Sequence, residues 1–112
     1  MKFMLMLVRR DDDWEALSEE ERDYGAIMRW WSDLAQRGVL RGGDELAPAR
    51  TAKTVSNDTG KPVVTDGPFM ETKESIGGFG VIEVDGLDQA LEIAKSWPAR
   101  GHKVEIRPIV EH

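Results

Sequence analysis

The sequence predicts a single α+β domain, an antiparallel sheet with two helices on one face. Three observations point there. Lys2 to Arg9 is apolar at nearly every position, the mark of a short strand covered on both sides. Two stretches, 18–37 and 85–97, repeat apolar residues at helical spacing. Between and after them lie short β-type runs punctuated by Asn, Asp, Gly and Pro. A chain of 112 residues suits one domain, spanning 1–112, and is too short for two ordinary ones.

The first strand sets Phe3, Leu5 and Leu7 on one face and Met4, Met6 and Val8 on the other. The chain's own helices supply one cover, and a second subunit is the expected source of the other. Ser18 with Glu21 fits a capping box, and Glu19, Glu20 and Glu21 suit the positive end of a helix dipole. A helix over 18–37 follows, carrying Tyr24, Ile27, Met28, Trp31, Leu34 and Ala35 at helical spacing and stopping at Gly38. Trp30 falls off that stripe. It is expected at a subunit contact or pocket wall, or else as a partly exposed ring resting on its neighbours.

Residues 42–46 and 49–55 read as short strands, 57–61 as a turn and 62–65 as extended chain. Asp66-Gly67-Pro68-Phe69 is a loop, since Pro cannot join a sheet ladder. The strand 77–84 contains Gly77, Gly78 and Gly80, which predict a bulge or a close backbone approach. Asp85 or Asp88 is the expected cap of a second helix, which carries Leu87, Ala90, Leu91, Ala94 and Trp97 and ends at Pro98. The last strand, 103–110, sets Val104, Ile106 and Pro108 opposite Glu105, Arg107 and Ile109. This order is the split βαβ, ferredoxin-like arrangement with an elaboration in its middle. Its helices cover one face only, so the other needs water, a partner or a ligand.

Fifteen Lys and Arg against 21 Asp and Glu give a formal charge of −6. That balance argues against a nucleic-acid backbone or an anionic membrane as partner, since both reward clustered positive charge. Arg9 and Arg10 are followed at once by Asp11, Asp12 and Asp13. Cysteine is absent, which excludes disulfides and thiolate chemistry. The apolar run at the N-terminus is too short for a signal-peptide core or a membrane span, so a cytoplasmic protein is expected. His102 and His112 lack ligand spacing, and no metal or redox cofactor is expected. His102, in a turn among Arg100, Gly101 and Lys103, reads as an exposed histidine without a role.

The densest polar stretch is 65–78. Asp66 there either organises a turn through backbone N–H groups or points into a cavity. Asp66 and Glu74 are the candidate general bases, a task that needs burial to raise the carboxylate pKa. Glu105 and Arg107, two apart on a strand, share a face. They are either a solvated ion pair or the lining of a cleft, where Arg107 would present its planar fork to a carboxylate or phosphate.

Asp66-Gly67-Pro68-Phe69, Glu71-Thr72-Lys73-Glu74 and Gly77-Gly78-Phe79 together resemble the signature of the DGPF-motif branch of the YCII-related proteins. The ending Val104-Glu105-Ile106-Arg107-Pro108, the opening Met1 to Leu7 and the Gly42-Gly43 pair match as well. The resemblance implies a ferredoxin-like dimeric α+β barrel, two sheets facing one another around a cleft. It also implies a sigma factor of the extracytoplasmic-function type as a possible partner, since many members are encoded beside one. Better-described members pair a histidine on the first helix with an aspartate as a proposed catalytic dyad. Here that helix offers Met28, Arg29, Trp30 and Trp31, so the dyad does not carry over.

Two functions fit. One is a homodimeric ligand-binding or regulatory accessory protein, with Asp66, Phe69, Glu74, Glu105, Arg107 and Trp30 as ligand-binding candidates. The other is a cofactor-free enzyme doing lyase, isomerase or dehalogenase-like proton chemistry with Asp66 or Glu74 as base. The missing dyad favours the first. Gly77-Gly78-Phe79-Gly80 lacks the spacing of a phosphate loop.

Overall fold

The first strand, β1 (Lys2–Arg9), lies inside a four-stranded antiparallel sheet, as its doubly apolar pattern predicts. The structure is a computed structural model describing residues 1–70 and 72–112; Glu71, part of the motif above, lies outside the described residues. Along the chain follow α1 (Asp11–Ala16), α2 (Glu19–Arg22), α3 (Tyr24–Gln36), β2 (Leu40–Glu45), a single 3₁₀ turn at Ala49–Thr51, β3 (Lys53–Ser56), β4 (Val63–Asp66), β5 (Ser75–Glu83), α4 (Leu87–Lys95) and β6 (Lys103–Pro108). The sheet order is β2-β5-β1-β6, and β3 pairs with β4 in a separate two-stranded sheet. This α+β architecture is compatible with the split βαβ arrangement, the β3–β4 hairpin being the elaboration. Neither sheet closes into a barrel. Among the described residues, no helix is long and apolar enough to cross a membrane.

The odd positions of β1 face the helices. Phe3, Leu5 and Leu7 are buried, and Phe3 and Leu5 share one core with Ile82, Trp30, Leu34, Ala90 and Ile93. The even positions face away. There Met4 and Val8 are half-buried and Met6 is buried, bordered by Phe79 and Val81 from β5. In register beside them on β6 stand Lys103, Glu105 and Arg107. The molecule is only 18 Å thin in its shortest dimension, which is one helix layer on one sheet.

The helix predicted over 18–37 is two pieces, α2 and α3. The capping box forms as expected: Glu21 N–H donates to Ser18 Oγ and Ser18 N–H to Glu21 Oε1, both at 3.1 Å. The helix then breaks at Asp23, whose backbone is left-handed with φ 50°. A short polar side chain tolerates that conformation, and Asp23 Oδ1 restarts the helix by accepting from Ala26 N–H. The acidic run 11–13 opens α1, a turn and a half that the sequence reading did not anticipate.

The two adjacent tryptophans exchange their expected roles. Ile27, Trp30 and Leu34 form the buried stripe of α3, so Trp30 is a core residue and not a subunit contact. Its Nε1 donates to Ser96 Oγ at 2.9 Å. Trp31, assigned above to the core, is half-buried on the adjoining flank, while Met28 is exposed. In α4 the buried residues are Ala90 and Ile93, and Leu87 and Leu91 are exposed. Gly86, not Asp85 or Asp88, stands at its N-cap without a side-chain bond.

Candidate functional site

Arg9 continues the inward face of Phe3, Leu5 and Leu7 and ends the strand as a charged side chain only 6% exposed. Room for it comes from β5. The pairing shifts register where Leu7 meets Gly78 and Val8 meets Ile76, so Gly77 is the extra, bulged residue. The guanidinium lies against Gly77, which has no β-carbon to obstruct it. Its Nη1 donates to Glu45 Oε2 at 3.1 Å and its Nη2 to the Leu46 carbonyl at 3.4 Å. Asp11 Oδ1 stands 3.6 Å from Nε, and the cation rests over the Trp14 ring at 5.1 Å, a favourable placement on the negative ring face.

Each neighbour is itself held. The Tyr24 hydroxyl donates to Glu45 Oε2 at 3.1 Å. Asp11 Oδ2 accepts from Ala49 N–H at 2.9 Å and from Ser75 Oγ at 3.1 Å, which fixes the start of α1 to β5 and to the 3₁₀ turn. Trp31 lies across the glycines of β2 and β5; a β-carbon on Gly43 would come within 2.8 Å of its ring.

These side chains wall a small cavity of about 40 Å³. Its lining includes Arg9, Trp14, Tyr24, Trp31, Trp97 and His102. His102 stands edge-on to Trp14 at 5.0 Å and to Trp97 at 5.7 Å, with Nδ1 3.3 Å from the Arg100 carbonyl. Burial pushes its pKa below the ordinary imidazole value, and the Arg9 charge pushes the same way. The Arg100 carbonyl and Glu45 act in the opposite direction. Burial thus favours the neutral ring. Among the described residues, Arg9 Nε and Trp97 Nε1 are buried without a hydrogen-bond acceptor, and both residues line this cavity.

The family model of the YCII-related domain matches residues 1–112. The chain belongs to the YCII-related family. An uncharacterized protein of Rhizobium meliloti (strain 1021) is 35% identical over 103 residues, covering 84% of this chain and 80% of the relative.

In this YCII-related chain, the residues singled out from sequence do not meet in one place. Asp66, at the end of β4, is exposed rather than buried and pairs with Lys53 at 2.5 Å. Its loop is organised by others: Gly67 N–H donates to the Ala52 carbonyl and Thr54 Oγ1 to the Gly67 carbonyl. Phe69 is 86% exposed. Glu74 pairs with Lys103 at 2.9 Å. Arg107 and Glu105 pair at 2.7 Å on the outward face of β6, and Trp30 lies in the core.

Sequence reading missed Arg9, Trp14, Tyr24, Glu45, Trp97 and His102 as a group. One signal was available. Arg9 shares the inward alternation of Phe3, Leu5 and Leu7, so a charge was due on the buried face. His102 is half-buried and ring-packed, not the exposed turn residue expected of it.

Proposed function

We propose that this YCII-related chain is a homodimeric small-molecule-binding module whose ligand is held in the Arg9 cavity. The observation that carries the reading is that two residues lining one aromatic-walled space, Arg9 and Trp97, each hold a buried donor, Nε and Nε1, without a hydrogen-bond acceptor. An unpaired buried donor costs about 1–3 kcal/mol, and an acceptor brought by a ligand removes that cost.

The outward sheet face supports the homodimer. It has an apolar centre of Met4, Met6, Val8, Phe79 and Val81 beside a row of mixed charge, Lys103, Glu105 and Arg107. A two-fold copy would set apolar centre on apolar centre. Glu105 and Arg107 would then border the cleft between subunits. Asp66, Phe69 and Glu74 would reach a ligand only if the partner subunit covered them.

A second reading, cofactor-free proton transfer, is favoured by His102, an imidazole at the cavity wall held toward its neutral form by burial. Asp66 and Glu74 support it less, because each is paired with a lysine.

The test is a small-molecule thermal-shift screen on wild type and on Trp97→Phe, which keeps an aromatic ring and removes the N–H. A compound that stabilises wild type and loses that effect in the variant is the expected result. Compounds that stabilise both proteins equally would place the site elsewhere.

A further inference from the structure

We infer that the Arg9 cavity takes a small neutral molecule presenting a carbonyl oxygen, a carboxamide above all, and discriminates against carboxylate anions. The inference rests on the binding reading above and deepens it by fixing the ligand's chemistry.

The argument begins with charge. Arg9 is the cation of the site, and it already faces Glu45 at 3.1 Å and Asp11 at 3.6 Å. With His102 neutral, Arg9, Glu45 and Asp11 together carry one positive and two negative charges, and Asp44 adds a further carboxylate to the lining. A ligand carboxylate would meet a site whose cation is already matched. A buried guanidinium usually signals an anion site; these two neighbours reverse that expectation.

What remains unused is neutral hydrogen-bonding capacity. Arg9 Nε, 3.6 Å from Asp11 Oδ1, and Trp97 Nε1 make no hydrogen bond. On the accepting side, Glu45 takes bonds from Arg9 and Tyr24, and a carboxylate has lone-pair sites beyond those two. When His102 Nδ1 donates to the Arg100 carbonyl, Nε2 is a second acceptor. A primary amide carries both halves of the complement, a carbonyl oxygen for the donors and N–H groups for the acceptors. Trp14, Tyr24 and Trp31 close the remaining walls with apolar ring surface, which suits a compact and uncharged group.

Acetamide and acetate test this directly, being nearly the same size and differing in charge. The readout is the indole N–H resonance of Trp97 in the amide proton–nitrogen spectrum of labelled full-length protein, assigned by its disappearance in Trp97→Phe. Acetamide should shift that resonance in a saturable way at neutral pH, and acetate should bind at least tenfold more weakly. Trp97→Phe should weaken acetamide about three- to tenfold, followed on the neighbouring backbone resonances, as the loss of one hydrogen bond. Acetate binding as tightly as acetamide would overturn the neutral-ligand inference and leave the cavity reading intact. No saturable shift with either probe would overturn the inference too. The thermal-shift comparison with Trp97→Phe then decides separately whether the cavity binds anything.

Discussion

Arg9 and Gly77 share one volume: a β-carbon on Gly77 would lie 2.3 Å from Arg9 Nε. Any side chain there must displace the guanidinium or the strand. Gly77→Ala should therefore cost about 1–3 kcal/mol, the range of overpacking. Urea denaturation should show a lower midpoint at unchanged slope. The same substitution should weaken any ligand of the Arg9 cavity.

Arg9→Met removes the cation and leaves Asp11, with a side chain 17% exposed, and Glu45, 50% exposed. Removing one partner of a buried pair costs several kcal/mol, but Glu45 keeps half its water. A loss of about 2 kcal/mol is expected by chemical denaturation. Tyr24→Phe, which loses only a bond to that exposed carboxylate, should cost less than about 1 kcal/mol.

The lowered pKa of His102 makes a signed prediction. The unfolded chain binds a proton near the ordinary value of 6.5, while the folded chain resists it. Between the two values the unfolded state holds more protons, so stability rises with pH. This contribution is complete above about pH 6.5 and is lost as pH falls through the lower folded value. Denaturation midpoints between pH 5 and 8 should show that slope in wild type and a flatter one in His102→Gln. Equal slopes would contradict the burial effect.

Dimerisation predicts opposite outcomes on the two faces of β1. Met4→Glu, on the outward face, should leave a folded protein and halve the mass seen by light scattering. Leu5→Glu places a carboxylate at a fully buried position and should unfold the chain. A wild type that is monomeric across the micromolar range would refute the homodimer.

Asp66→Asn should change stability by less than about 1 kcal/mol, because its pair with Lys53 is exposed on both sides. Arg107→Lys should do no more to the isolated subunit, since the Glu105 pair is also in solvent. An effect of either substitution on ligand affinity would show that a partner subunit brings these residues to the site.

The parts of the fold that showed in sequence rest on local repetition. The doubly apolar β1, the Ser18–Glu21 box and the glycines of β5 each announced their structure. The failures have equally local causes. Asp23 breaks the expected helix just before its apolar stripe begins at Tyr24, and a left-handed residue leaves no mark on that periodicity. α1 buries only Trp14 in six residues, too short a pattern to register. The site was hidden for a different reason. Arg9, Glu45, Trp97 and His102 come from four separate segments, and the pairing of β2 with β5, β5 with β1 and β1 with β6 draws their strands together.

Trp30, Trp31 and Trp97 meet edge to face, with ring centres 5.0, 4.9 and 6.3 Å apart. Indoles this close do not absorb independently: their excited states mix and excitation passes among them before emission. The near-ultraviolet circular dichroism of the chain will therefore carry a coupled band belonging to the triangle rather than to any one ring. Two corners belong to α3 and the third follows α4, so the band measures how the two segments are seated against each other. The share that involves Trp97 vanishes when they part, even if both helices persist, and only the Trp30–Trp31 pair of α3 remains. The molecule thus contains an optical gauge of its tertiary packing, readable without a label and separable from its secondary structure.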